Sequence, residues 1–244
     1  MPIRKPPLSP LLNLLLVPLD AQVAVVKTWR HVKRVRRHTA ERLGRTRYSR
    51  PALHDMDRKL QTYLPQRGVF VEAGANDGYR QSNTYYLERC RGWTGVLVEP
   101  VPDLAKQAAR DRRSLVVNAG LVGNDYCRPT IVVEAGGLTS IVADIKPAGH
   151  RAEAGSHRLL VDVPARTLSS ILDEHLVAHV DFLSLDVEGY EPRVLTGLDF
   201  GRHAPTWILV EIQGRRDGVE AILGGQYELV TSLSHHDYLY ERVR

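Results

Sequence analysis

The 244-residue sequence predicts an α/β fold: a mostly parallel sheet covered on both faces by helices and closed by a C-terminal β-hairpin, preceded by an N-terminal helical extension. Three observations carry this. From residue 51 onward, short β-prone runs alternate with segments of helical periodicity, the pattern of right-handed βαβ crossovers. The chain ends in YELVTSLSHHDYLYER, two β-prone runs around a polar turn. The first 50 residues carry twelve Lys and Arg against two acids, a net charge of +10, whereas the rest carry a net −5.

The extension is read first. Residues 8–26 are rich in Leu and Val but are interrupted by Pro10, Asn13, Pro18, Asp20 and Gln22, which does not suit the roughly 20 mainly apolar residues of a spanning helix. The following KTWRHVKRVRR would have to cross a membrane directly behind the apolar stretch, and no small-x-small cleavage site stands out, so a secretion signal is not expected. From Asp20, the expected N-cap, Val23, Val26, Trp29 and Val32 step by three among Lys27, Arg30, Lys33, Arg34, Arg36 and Arg37. Such a helix either lies on an anionic bilayer surface or packs its Val and Trp against the main domain or a second copy of the chain in a homodimer. The expected domains are a basic helical extension over 1–50 and a globular domain over 51–244. Mild acidity of the latter argues against a broad nucleic-acid-binding face. Cys90 and Cys127 stand far apart in no CxxC or Cys/His cluster, so neither a disulfide framework nor structural zinc is expected. The expected location is cytoplasmic, with peripheral association at the inner face of the membrane through residues 1–50.

Within the globular domain the expected strands are 69–73, 95–99, 115–118, 181–186 and 206–212. The expected helices are 82–91, 102–110, 167–176, 192–198 and 216–223. Residues 126–164 break this rhythm with RPTIVVEAG, GLTSIVADI and HRLLVDV, read as extra strands or long loops.

In VFVEAGANDG a strand runs into a glycine turn, which places that turn at the carboxyl edge of the sheet, where open α/β folds bind ligands. Gly74 and Gly78 allow close backbone approach, and Asn76 and Asp77 tolerate turn dihedrals. The spacing is G-x-x-x-G; the dinucleotide fingerprint and the phosphate loop are both absent. The second strand ends GVLVEP, placing Glu99 beside the turn, where its carboxylate can accept both hydrogen bonds of a ribose diol. Glu72, inside the first strand, needs donors if buried, and a ligand ammonium is one. Two acids flanking a glycine turn suit a cationic, ribose-bearing cofactor without pyrophosphate, properties that S-adenosylmethionine has.

The run EAGANDGYRQSNTYYLERCRGWTGVLVEPVPDLAKQ, followed by NAGLVG, LDVEGYEPRVLTGL and ILVEI, resembles the FkbM family of S-adenosylmethionine-dependent methyltransferases across residues 66–213. The resemblance implies a class I methyltransferase, Rossmann-like fold: a seven-stranded sheet whose last two strands form a hairpin with one antiparallel member. It also implies O-methylation of a hydroxyl on a sugar, glycolipid or polyketide. Carried onto this sequence, Glu72, Gly74, Ala75, Asn76 and Gly78 surround the methionine moiety and Glu99 takes the ribose. Ser82, Asn83 and Thr84 open a helix whose N–H groups and hydroxyls hold the cofactor carboxylate. Asn118 and Ala119 meet the adenine edge.

Transfer to an alcohol requires in-line alignment and removal of a proton from a poor acid, by a positioned base or a divalent cation. Asp186 and Glu188 in SLDVEGYE and Glu211 in ILVEI converge on the carboxyl edge and are the catalytic candidates. Their mutual repulsion suits a proton or a hard metal, with Asp186 and Glu211 as ligands of Mg²⁺. His150, His157, His235 and His236 compete for the base role. The leading expectation is methyl transfer to a sugar hydroxyl in a glycolipid or polysaccharide. An RNA methyltransferase with residues 1–50 as its arm and a non-enzymatic Rossmann-like binding module stand beside it, although no aromatic reading surface accompanies the charge.

Overall fold

The structure, a computed structural model, describes residues 19–135, 140–141 and 159–243. It falls into two compact units, Met1–Tyr48 and Ser49–Arg244. In the first, α1 spans Leu19–Arg42. Asp20, expected as its N-cap, lies inside the helix. The helix ends in a Schellman turn: Gly44 takes a left-handed φ of 73°, its N–H bonds the Glu41 carbonyl, and the N–H of Arg45 reaches the Ala40 carbonyl at 2.8 Å.

The second unit begins with the short helix α2 (Met56–Lys59) and then alternates. In chain order come β1 (Val69–Ala73), α3 (Tyr85–Arg91), β2 (Thr94–Val98), α4 (Pro102–Asp111), β3 (Leu115–Val117) and β4 (Gly120–Leu121). An excursion follows through β5 (Thr130–Ala135), β6 (Ser140–Ile141) and β7 (Leu159–Arg166). The alternation resumes with α5 (Leu168–Glu174), β8 (Phe182–Leu185), α6 (Glu191–Thr196), α7 (Phe200–His203), β9 (Trp207–Glu211) and α8 (Asp217–Leu223). The hairpin β10 (Tyr227–Ser232) and β11 (Asp237–Arg242) closes the unit.

Seven strands form one sheet in the order β3-β2-β1-β8-β9-β11-β10, parallel except for β11, which runs antiparallel to both its neighbours. This is the order and hairpin that the class I methyltransferase resemblance implies. Residues 126–164, expected as extra strands or loops, supply β5, β6 and β7. Together with β4 they make a second, four-stranded sheet. His150 and His157 lie outside the described residues.

Both faces of the central strands β1, β2, β8 and β9 are buried, so these are nearly continuous apolar runs. Val71, Val96, Leu183 and Ile208 enter a cluster with Ile131 and Val163 of the second sheet and with Ile171 and Leu195 of α5 and α6. Their neighbours Phe70, Leu97, Phe182 and Leu209 turn to the other side, against Met56, Leu60, Leu87 and Trp93. The helix expected from residue 82 starts at Tyr85 because the side chains of Ser82 and Thr84 are drawn onto Glu72 of β1.

Candidate active site

The strand registers Ala73–Val98, Ala73–Leu185, Val98–Val117 and Leu185–Val210 are level across the sheet. The residues that follow these pairs, namely Gly74, Glu99, Asn118, Asp186 and Glu211, therefore form one row along the carboxyl edge, where an open parallel sheet opens its crevice. The five come from five separate strand ends, and the strand order brings them to one edge.

The turn after β1 is held from within. Gly74 and Ala75 donate to the Val98 carbonyl at 3.0 and 3.1 Å, and Gly78 donates to Ala75 at 2.9 Å. Gly74 has φ 88°, and a Cβ there would stand 1.8 Å from the Asp186 carbonyl oxygen. At Gly78 a Cβ would meet the Ala108 Cα of α4 at 2.7 Å. The close approach expected of a ligand at these glycines is thus made by the chain itself, which corrects that reading of the motif. Ala75 is buried, whereas Asn76 and Asp77 stay half-exposed at the tip of the turn.

Glu99 is buried at the end of β2. Its Oε2 accepts from the Asn76 N–H at 2.7 Å and its Oε1 from the Val101 N–H at 2.9 Å. Burial pushes its carboxyl up to about 7, against the pull of those two N–H groups. A carboxylate offers about four acceptor positions, so each oxygen keeps one for a further donor.

Glu72 is satisfied differently from the sequence expectation. Its oxygens accept from both the Ser82 and Thr84 hydroxyls, at 2.9 and 2.7 Å, and from the Asn83 N–H at 3.0 Å. The Arg112 guanidinium adds an ion pair at 3.1 Å. A ligand ammonium is not needed to satisfy this acid, and the two hydroxyls expected on the cofactor carboxylate are engaged by it. Asn83 instead donates to Ser184 of β8 at 3.1 Å. Asn118 donates to the carbonyls of Glu99 and Pro100, both at 2.8 Å, and so fixes the exit of β2; Ala119 is packed into the core. Arg112, which the sequence reading passed over, also pairs with buried Glu88 at 3.2 Å. In RDRRSLVV nothing distinguishes it from its solvated neighbours.

At the other end of the row, burial, a hydrogen bond to Glu211 and the charges of Glu211, Glu188 and Glu191 push the Asp186 carboxyl up to about 9. Its Oδ1 is sealed from solvent with no hydrogen-bond partner among the described residues. Glu188, at φ 55°, accepts from Gln213 at 3.0 Å. Glu191 accepts from the N–H groups of Val187 and Gly189 and shapes the loop. Among the described residues no group of three or more His, Cys, Asp or Glu side chains is placed to hold a metal ion. The structure thus lends no support to the expected Mg²⁺ site at Asp186 and Glu211. His235 and His236 are exposed in the β10–β11 turn, where the His236 carbonyl accepts from Ile212 at 2.7 Å and Asp237 pairs in register with Glu211.

A neutral Asp186 has a consequence for stability. Its raised folded-state value means that stability is fully present below the unfolded value near 3.8 and is lost as pH rises toward about 9. Asp186→Asn should therefore raise the melting temperature at pH 8 more than at pH 5. Thermal melts at both values check this, and an equal change at the two would contradict it.

The Methyltransferase FkbM domain matches residues 72–240. The chain belongs to the FkbM methyltransferase family. No curated protein matches it. Among solved structures, a methyltransferase FkbM from Methylobacillus flagellatus KT is 17% identical, with a TM-score of 0.45 over 74% of this chain and 45% of that one. The FkbM-family chain described here thus spans less than half the length of that relative. A TehB-like S-adenosylmethionine-dependent methyltransferase from Corynebacterium glutamicum is 12% identical over 89% of this chain and 99% of its own, with a TM-score of 0.43. Fibrillarin from Aeropyrum pernix, which carries natively bound S-adenosylmethionine, is 14% identical over 74% of this chain and 69% of its own, at 0.41. Strand order and the family match, rather than these likenesses, define the class I methyltransferase fold of this chain. Among the described residues no helix is long and apolar enough to cross a membrane.

Proposed function

We propose that this FkbM-family chain transfers a methyl group from S-adenosylmethionine to a hydroxyl of a sugar, in a glycolipid or polysaccharide. The observation that supports it most is the level row of Gly74, Glu99, Asn118, Asp186 and Glu211 at the carboxyl edge. Glu99, with an acceptor position left on each oxygen, suits a ribose diol. The Asp186 Oδ1 has no hydrogen-bond partner among the described residues, and a donor brought by a bound molecule would satisfy it once the side chain turns toward the crevice.

When bound, S-adenosylmethionine supplies a methyl carbon already made electrophilic by its sulfonium. Glu99 and the backbone of the 74–78 turn orient the nucleoside, and Asn118 keeps the β2 exit in place. Beside a neutral Asp186, Glu211 accepts the proton of the acceptor hydroxyl as its oxygen bonds to carbon. The departing sulfur would keep the electron pair of the carbon–sulfur bond.

The test is transfer of labelled methyl from S-adenosylmethionine into a cell extract divided into lipid, polysaccharide and RNA fractions. Label recovered as an O-methyl sugar after acid hydrolysis is the expected result. Label confined to RNA, or none in any fraction, would overturn the assignment.

A further inference from the structure

We propose that α1 docks the protein on an anionic lipid bilayer, as an amphipathic helix lying in the membrane surface. This proposal does not depend on the chemistry at the carboxyl edge. Trp29, Val32 and Val35 are 61%, 50% and 49% exposed, and Leu43 at the helix end is 67% exposed. At about 100° per residue, three steps turn the helix back by about 60°, so the three helical side chains share one stripe about 120° wide. An apolar stripe of this width on a single helix is normally covered in a soluble protein.

The cations lie where an interfacial helix needs them. Lys33 and Arg36 are exposed beside or within the stripe, and Arg42, Arg45 and Arg47 are exposed around the end of the helix. Long basic side chains laid along apolar surface keep their stems in the hydrocarbon boundary and their charge among the headgroups. Arg36 is steadied for this by Tyr48, with which it makes both a hydrogen bond and a cation–π contact at 4.8 Å.

Charge decides between the occupants. A second copy of this chain would bring another +10 from its own first 50 residues against the same helix. A nucleic acid would neutralise the cations yet leave Trp29, Val32, Val35 and Leu43 in water. An anionic bilayer takes up both the charge and the apolar stripe. The segment before α1, with six Leu between residues 8 and 18, extends the apolar character in the same direction along the sequence.

The full chain is tested against vesicles of phosphatidylcholine alone and of phosphatidylcholine mixed equally with phosphatidylglycerol. Trp93 and Trp207 are 2% and 9% exposed, so a blue shift and quenching by brominated acyl chains report on Trp29. The expected result is binding to the anionic vesicles only, with the shift, weakened by raising NaCl. Trp29→Ser with Val32→Ser should lower the partition coefficient about tenfold or more. Equal binding to neutral vesicles, or no binding, overturns the proposal. So does undiminished binding by a variant whose helix content is intact, since charge alone would then suffice. Tighter binding to a single-stranded RNA than to the vesicles, or a lipid-free dimer that shields Trp29, also overturns it. Should the variant lose its helix, quenching of wild-type Trp29 decides.

Discussion

Arg112→Met is expected to lower the melting temperature by about 10 °C or more. The guanidinium is sealed between Glu72 and Glu88, at 3.1 and 3.2 Å. It also donates to the Gly78 carbonyl and to the Ser82 and Thr84 hydroxyls. Removing one partner of a buried ionic group leaves its counter-charges uncompensated and costs about 3–5 kcal/mol. For a unit of this size that is about 2–4 °C per kcal/mol. Lysine is no substitute, because one ammonium cannot span both acids and the carbonyl. Burial opposes ionisation of Glu88, but Arg112 and the N–H groups of Arg113 and Ser114 outweigh it and hold that carboxyl below its ordinary value. Its contribution is therefore present above the unfolded value near 4.5 and is lost as pH falls through the folded one. Differential scanning calorimetry checks both points. A melting temperature within about 2 °C of wild type would show that the triad adds nothing. Adding Glu72→Gln and Glu88→Gln to Arg112→Met should restore part of the loss.

Glu99→Ala should weaken S-adenosylmethionine binding by about 100-fold or more, since two hydrogen bonds to a charged acceptor are worth about 1.5–3 kcal/mol each. Titration calorimetry measures it. The carboxylate, not the acid, accepts from a diol. Because burial pushes Glu99 up to about 7, affinity should fall as pH drops through that value, approaching about tenfold per unit below it. Affinity should level off above it. Glu99→Gln should abolish this slope while leaving the fold intact. A wild-type affinity flat from pH 5.5 to 8.5, a window over which control by Glu99 gives about a thirtyfold change, would remove Glu99 from the site.

Much of the fold was legible because its signals are local. The alternation of five strands with five helices follows from periodicity, and β1, expected at 69–73, is Val69–Ala73. The closing hairpin follows from a polar turn between two β-prone runs. What the sequence could not convey is which polar side chains answer one another across the fold. Glu72 looks like a ligand-binding acid until Arg112, forty residues on, is seen beside it. Gly74 looks like room for a ligand until the Asp186 carbonyl is found there. Asp237 shows no motif, and only the antiparallel register of β11 sets it against Glu211. The carboxyl-edge row was foreseeable from strand ends alone, whereas the state of Asp186 depends on burial and on a neighbour from another strand.

The contact at Gly74 also limits how this scaffold can be re-engineered. With the turn after β1 touching the backbone that leaves β8, a shift of the Asp186 loop, made under the proposed function to accommodate a bulkier acceptor, would drag that turn with it. Under the proposed function, selectivity is then retuned with the donor grip intact through parts away from that contact, such as β5 and β7 or the tip joining β10 to β11.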